Sequence, residues 1–176
     1  ELLYLNNGAV SRTENIHLLL ENSYGCNDEF DLDITIHPKP VADFDTDILA
    51  GCTPLPVNFI QNSTLIESVE WNFGETTENT LGNFEYIFEN STTDEISIPL
   101  ELIVTTEFNC KDTTEKTLTV FPAVNAQFET DVVEGCSPLP ISITDLSSGG
   151  AGTGFTYTWD FGDGTYNGND NEMMVT

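Results

Sequence analysis

The sequence predicts an all-β protein made of small β-sandwiches, and three observations support this. Apolar and polar residues alternate along many short segments, which is the period of a strand with one buried face. Turn signals separate these segments about every 8–12 residues. An internal repeat at an offset of 84 residues indicates that one small sandwich is used more than once. No segment has a convincing helical period.

The repeat defines the predicted domains. Segments 42–56 and 126–140 are identical at nine of fifteen positions and share the frame Gly-Cys-Xaa-Pro-Leu-Pro. We therefore predict the C-terminal part of one domain at 1–39, a complete domain at 40–122 and the N-terminal part of a third at 123–176. The joints at 37–40 and 121–123 are short and contain proline, so we expect a semi-rigid rod.

Within the complete domain, alternation identifies the side chains that face inward. An opening strand at 41–47 and a turn at 51–54 precede them. Pro99 restricts the first part of its strand to an edge or a start. The inward positions are Leu55, Val57, Phe59, Val69, Trp71, Phe73, Phe84, Tyr86, Phe88, Ile98, Leu100, Leu102, Val104, Leu118 and Val120. In the preceding partial domain the matching positions are Ile16, Leu18, Leu20, Ile34 and Ile36.

The strand at 157–165, YTWDFGDGT, places an aromatic residue at every second position and then breaks at Gly-Asp-Gly. This segment resembles the signature of the polycystic-kidney-disease (PKD) domain family. The middle copy, 69–76, keeps Trp-Xaa-Phe-Gly but replaces both aspartates, by Asn72 and Glu75. The resemblance implies tandem immunoglobulin-like sandwiches in a linear array. The alternation and the fold together place five aromatic residues in the core: Trp71, Phe73, Tyr157, Trp159 and Phe161.

The charge excludes two classes of partner. Thirty acidic and four basic residues give a net charge of −26. Nucleic acid binding depends on Lys and Arg, so we expect none, and no docking on an anionic membrane surface. No stretch approaches the ~20 apolar residues of a membrane span, so we expect no membrane insertion. No signal peptide opens the chain, and we interpret it as a window on a longer polypeptide.

Calcium is the one metal for which the sequence offers ligands. Asp160, Asp163 and Asp170 lie around the turn after the tryptophan strand, and carboxylate oxygens on a glycine-containing loop suit Ca²⁺. Aspartates in such a turn also cap backbone N–H groups. The middle copy lacks both aspartates and should still fold, which favours the capping role. We therefore expect no cofactor, with calcium as the alternative.

Catalysis and sugar binding are disfavoured. The only histidines, His17 and His37, sit in no recognisable Ser-His-Asp or Cys-His arrangement, so we predict no enzyme activity. An aromatic platform could stack on sugar rings, but Trp71 and Trp159 share the inward face of their strands. We expect both to be core.

The four cysteines fall into two positional types. Cys52 and Cys136 follow Gly and precede Xaa-Pro-Leu-Pro, whereas Cys26 and Cys110 lie in the final hairpin of a repeat. This pattern predicts disulfides and an oxidising, extracytoplasmic setting. The two types lie at opposite ends of an immunoglobulin-like topology, which disfavours a Cys52–Cys110 bond. We favour bonds between neighbouring domains, with the pairing open.

Three short triplets match glycosylation patterns. Asn62-Ser63-Thr64 and Asn90-Ser91-Thr92 fit the N-linked acceptor pattern. Thr113, in Asp112-Thr113-Thr114, fits a bacteroidete O-glycosylation site.

The whole pattern resembles the PKD arrays of large Bacteroidota surface proteins, including gliding-motility adhesins and other type IX secretion cargo. The resemblance implies a non-catalytic stalk or adhesive filament at the bacterial cell surface, associated with the outer membrane. Its partners would be neighbouring PKD-like domains, a surface polysaccharide or another surface protein. The alternatives are an accessory module of a secreted protease or polysaccharide hydrolase, and a calcium- or carbohydrate-binding module.

Overall fold

The computed structural model describes residues 2–150, 155–162, 165–168 and 172–175. This part of the chain is all-β, as predicted, and contains no helix. Consequently none of its segments is a helix long and apolar enough to cross a membrane. The strands are β1 (Arg12–Glu21), β2 (Asn27–Ile36), β3 (Phe44–Thr46), β4 (Ala50–Cys52), β5 (Leu55–Gln61), β6 (Ser68–Phe73), β7 (Thr76–Glu78), β8 (Phe84–Phe88), β9 (Ile96–Thr105), β10 (Lys111–Phe121), β11 (Phe128–Thr130), β12 (Ile141–Asp145), β13 (Tyr157–Asp160), β14 (Thr165–Gly168) and β15 (Glu172–Val175).

The chain divides into two compact units. The first comprises Glu1–Asp47, Val57–Tyr86 and Ile98–Leu118, and the second comprises Ile48–Pro56, Ile87–Ser97 and Thr119–Thr176. These units reflect compactness rather than the sequence repeat. The predicted boundaries after residues 39 and 122 therefore stay a prediction.

Strands β1 and β2 form an antiparallel hairpin with one apolar face. Its turn is closed by Asn22, whose side-chain oxygen accepts the N–H groups of Tyr24 and Cys26 at 2.9 and 3.1 Å. Gly25 has φ of 77°, a conformation that glycine adopts without strain. The pairs Ile16↔Leu32 and Leu18↔Phe30 put apolar side chains on one face.

The middle of the chain forms two sheets. Their strand orders are β4-β10-β9-β6-β7 and β3-β5-β8. Strand β6 pairs with β9 from Ser68↔Thr105 to Phe73↔Leu100. Pro99 therefore lies just beyond this pairing, where its missing N–H costs no ladder bond to β6.

One local prediction is wrong. Residues 51–54 do not form one turn, because Ala50–Cys52 is a strand that pairs parallel with Thr119–Phe121 of β10. Only Thr53 and Pro54, joined by a cis peptide bond, remain in the turn. The alternation that marks longer strands cannot show in three residues, which explains why the strand was missed.

Alternation along the strands places the core as expected for a half-buried sheet. Strand β5 buries every second residue, and β6 buries Val69, Trp71 and Phe73. Rings from the two sheets meet in the first unit, where Phe59 of β5 lies 5.4 Å from Trp71 of β6 between centroids. Two sheets in face-to-face contact through aromatic side chains are consistent with a β-sandwich.

The C-terminal part contains two small sheets, ordered β11-β12-β15 and β13-β14. Contacts of the middle segment recur here at the 84-residue offset. The backbone N–H of Asn58 donates to Asp47 Oδ1 at 2.9 Å, and that of Ser142 donates to Asp131 Oδ1 at 2.7 Å. The two segments therefore repeat their local hydrogen bonding as well as their sequence.

Candidate functional site

The middle tryptophan is enclosed on all sides. Trp71 is fully buried, and the rings of Phe44, Phe59 and Phe84 meet it edge-on at centroid distances of 5.2, 5.4 and 5.4 Å. Its indole N–H donates to the carbonyl of Thr80 at 3.1 Å. Burying a side chain of this size contributes roughly 5 kcal/mol of gross hydrophobic free energy. The ring presents no face to a ligand.

The C-terminal tryptophan, Trp159, makes the same edge-on contact with a phenylalanine, but that phenylalanine is more exposed to solvent. Phe128 meets Trp159 edge-on at 5.3 Å and 78°, close to the 5.2 Å and 80° of Phe44 and Trp71. However, Phe128 is 57% exposed, whereas Phe44 is 0% exposed. Among the described residues, nothing accepts the buried indole N–H of Trp159.

A cavity of about 600 Å³ opens beside Trp159. Tyr157, Trp159 and Phe161 line it as a ladder of nearly parallel rings, with centroids 6.3 Å apart at each step. These three side chains are half-buried, while the predicted core residues Trp71 and Phe73 of the middle segment are buried.

A hydrogen-bonded pair flanks this cavity. Tyr157 donates its hydroxyl proton to Asp145 Oδ2 at 2.8 Å. The pKa of Asp145 lies below its ordinary value, first because Ser147 hydrogen bonds to it and then because Tyr157 does. The pKa of Tyr157 is raised, because the Asp145 carboxylate accepts its proton in a hydrogen bond. The hydrogen bond between Tyr157 and Asp145 holds the first residue of strand β13 in place.

The calcium candidates are only partly placed. Asp160 Oδ1 accepts the backbone N–H of Gly162 at 2.9 Å, so this aspartate caps the turn. Asp163 and Asp170 lie outside the described residues. Across the described ranges, no three His, Cys, Asp or Glu residues converge as metal ligands.

The joint at 37–40 is held against the middle segment. His37 stacks on Phe108 with ring centroids 3.6 Å apart and an angle of 9°. Ser11 Oγ lies 2.8 Å from His37 Nδ1, and Pro38 and Pro40 are buried. Because both rings and prolines restrict this joint, it has little freedom to bend.

Asp112 forms a second contact at the same joint. Its carboxylate accepts the backbone N–H of Ala42 at 3.0 Å and the Lys39 ammonium at 2.5 Å. The pKa of Asp112 is lowered, chiefly by the hydrogen bond from Ala42 and then by the one from Lys39. Sequence reasoning missed this contact, because its partners lie some 70 residues apart.

The histidines do not assemble a catalytic triad in the part of the chain described. His17 Nδ1 lies 3.0 Å from Asp31 on the exposed polar face of the hairpin. The Nδ1 atom of His37 lies next to Ser11 Oγ, the His37 ring stacks on Phe108, and no carboxylate of the described residues contacts this ring. A serine–histidine contact without an orienting acid lacks the third group of the triad.

All four cysteines are free thiols. Cys26, Cys52 and Cys136 are exposed, and Cys110 is half-buried. No disulfide joins any two of them, so bonds to neighbouring domains stay a prediction.

The glycosylation triplets differ in access. Asn90 is 5% exposed, and its side-chain amide donates to the carbonyls of Asp94 and Val120, both at 2.8 Å. An amide nitrogen with both hydrogens in internal bonds cannot carry a glycan in the folded chain. Asn62 and Thr113 are exposed.

Comparison with known proteins does not assign the chain to a family. No protein-family model matches the chain, and no curated protein matches it.

Proposed function

We propose that this chain is a non-catalytic spacer segment of a large extracellular surface protein. It is built from tandem immunoglobulin-like sandwiches of the PKD type and serves as a stalk or adhesive filament. The signature at 157–165 and its variant at 69–76 support the family. The hydrogen bond between Asn58 and Asp47 recurs at an offset of 84 residues, and the ring contact of Phe44 with Trp71 recurs between Phe128 and Trp159, at offsets of 84 and 88 residues. Both recurrences support the tandem arrangement.

The observation that carries the proposal is the restrained joint at 37–40. A spacer transmits position only if its joints resist bending. Here the His37–Phe108 stack holds the joint against the turn that contains Phe108. The hydrogen bonds of Asp112 hold it against the start of strand β10. Two buried prolines add backbone stiffness. An accessory module on a flexible tether would need none of these contacts.

The charge distribution fits a spacer. Arg12, Lys39 and Lys116 each lie in an ion pair within the chain, at 3.2, 2.5 and 2.8 Å. The net charge of −26 is therefore carried mainly by carboxylates facing water. A strongly acidic surface keeps neighbouring stalks soluble and apart.

The test is the size and location of the intact parent polypeptide. An antibody to this segment should detect, in blots of the source cells, a cell-associated band of several hundred kilodaltons. Protease treatment of whole cells should remove it. A band of enzyme size, found mostly in the medium, would contradict the stalk and favour the accessory module of a secreted hydrolase.

A further inference from the structure

Three consecutive carbonyl groups at the joint 121–123 each accept a hydrogen bond from a different segment of the chain. The carbonyls of residues 120–122 accept, in order, the side-chain amide of Asn90 at 2.8 Å, the backbone N–H of Thr53 at 3.0 Å and that of Gly150 at 3.2 Å. We call these three bonds the carbonyl clamp. Asn90 and Thr53 precede the joint in the sequence and Gly150 follows it. The clamp therefore holds the joint from both sides.

The donors of the carbonyl clamp are themselves held in place. The hydroxyl of Thr53 accepts the backbone N–H of Asn90 at 2.9 Å, which joins two of the donors. The amide of Asn90 also donates to the carbonyl of Asp94 at 2.8 Å, and its oxygen accepts the backbone N–H of Thr92 at 2.9 Å. Because both hydrogens and the oxygen of this amide are bonded, the buried side chain of Asn90 has one orientation.

The side-chain bonds of Asn90 recur at the joint 37–40. Asn6, the counterpart of Asn90 at the 84-residue offset, donates its side-chain amide to the carbonyls of Val10 and Ile36, both at 2.8 Å. These acceptors stand at the same offset from the two carbonyls that accept the amide of Asn90. In both places the asparagine holds the carbonyl that directly precedes the joint. The bonds therefore belong to the joints rather than to one irregular loop.

The composition of the second compact unit agrees with the clamp. This unit combines Ile48–Pro56 and Ile87–Ser97 with Thr119–Thr176, although the first two segments fall within the predicted domain 40–122. Two of the clamp's donors, Thr53 and Asn90, come from these segments. Their hydrogen bonds attach both segments to the start of the C-terminal segment.

The carbonyl clamp restricts an angle that proline leaves free. A proline ring locks φ, whereas the direction of the proline carbonyl depends on ψ. In Pro122 the ring restricts φ, and the hydrogen bond from Gly150 holds the carbonyl. Turning the chain at residues 120–122 therefore lengthens or breaks the bonds of the clamp, because hydrogen bonds weaken steeply when they are misaligned.

We propose that Asn90 is the positioning residue of the carbonyl clamp and thereby fixes the direction of the chain at the joint 121–123, and that Asn6 does the same at the joint 37–40. As a source of stiffness in a stalk, this role rests on the proposed function. The clamp itself is a property of this chain and is tested on it directly.

Distances between two spin labels test whether the joint is fixed. In a background with the four native cysteines changed to serine, Ala50→Cys and Thr144→Cys place labels on β4 and β12, on either side of the joint and within the second unit. Both positions are exposed. We expect one narrow distance distribution in the otherwise unchanged chain. A broad distribution there would overturn the proposal.

Variants of the clamp donors separate positioning from stability. Asn90→Ala should widen the distribution about twofold or more, because the carbonyl of residue 120 loses its donor. Thr53→Val removes only the hydroxyl that holds Asn90 and should widen it by a smaller factor. Val57→Ala, in the core of β5 and away from the joint, should lower the melting temperature without widening the distribution.

Two results with these variants would refute the assigned role. One is a distribution that Val57→Ala widens as much as Asn90→Ala, since loss of stability would then be the cause. If Asn90→Ala fails to fold, Thr53→Val carries the test, and an unchanged width in that variant is the other.

The joint 37–40 is tested in the same way, with labels inside the first unit. Thr13→Cys and Thr117→Cys, both exposed, place labels on β1 and β10. Asn6→Ala should widen this distribution, and an unchanged width would remove Asn6 from the proposal. These distances are independent of the size of the parent polypeptide. A broad distribution would therefore overturn the clamp without contradicting the spacer, and a small secreted parent would contradict the spacer without changing the distances.

Discussion

Removing the side chain of Asn90, a buried asparagine in a loop, should destabilise the folded chain strongly. Its amide donates to the carbonyls of Asp94 and Val120, and its oxygen accepts the backbone N–H and hydroxyl of Thr92 at 2.9 and 2.7 Å. Each net hydrogen bond is worth about 1 kcal/mol, and a buried carbonyl left without a donor costs about 1–3 kcal/mol. Asn90→Ala should therefore lower the free energy of unfolding by about 2–4 kcal/mol.

Asn62 supplies the matched control. It is also an asparagine in an Asn-Ser-Thr triplet, but it is exposed, and its side-chain amide donates to Asp45 Oδ2 at 3.1 Å. Asn62→Ala should cost about 0.5 kcal/mol or less. Urea unfolding followed by circular dichroism would compare the free energies of unfolding of the two variants. We expect the m-value, the dependence of that free energy on urea concentration, to be unchanged. If Asn90→Ala cost no more than Asn62→Ala, the bonding assigned to Asn90 would be wrong.

Two further predictions concern the joints. The lowered pKa of Asp112 means that its stabilising contribution is full above the unfolded pKa, about 3.9, and is lost as pH falls through the lower folded value. Asp112→Asn should therefore cost about 1–2 kcal/mol at neutral pH and flatten the acid end of a stability–pH curve, and an unchanged curve would contradict the contact with Ala42. Gly149 has φ of 86°, and a Cβ there would overlap the carbonyl oxygen of Ala123. Gly149→Ala should lower the melting temperature more than Gly25→Ala, which has a similar φ and open space, and equal shifts would show that only backbone strain matters.

The elements that the sequence predicted well are the long strands, along which the two-residue alternation repeats several times. Alternation over β5, β6 and β9 identified inward side chains such as Val57 and Leu102, because every second residue of a long strand must face the same way. The three-residue strand β4 was missed for the opposite reason. Its position depends on pairing with β10, some 70 residues away, and no local pattern reports such a partner.

The site residues divide in the same manner. The turn cap of Asp160 followed from local chemistry, since an aspartate two residues before a glycine N–H can reach it. The Asn90 bonds, the His37–Phe108 stack and the Asp112 contact join segments distant in sequence. Ile16 and Leu18 show a further limit. Their alternation predicts a face for burial, but burial requires a covering sheet that a pattern within one strand cannot supply.

The parallel pairing of β4 with the end of β10 has a mechanical consequence. Thr119 donates its N–H to Leu49, and Thr53 donates to Phe121, at 2.9 and 3.0 Å. Strand β4 lies near the start of the middle segment, and β10 leads directly into Pro122. Tension applied to the backbone on either side would pull these two strands in opposite directions along their length. Their hydrogen bonds would then carry load together in shear, and the segment should resist extension until several of them break at once.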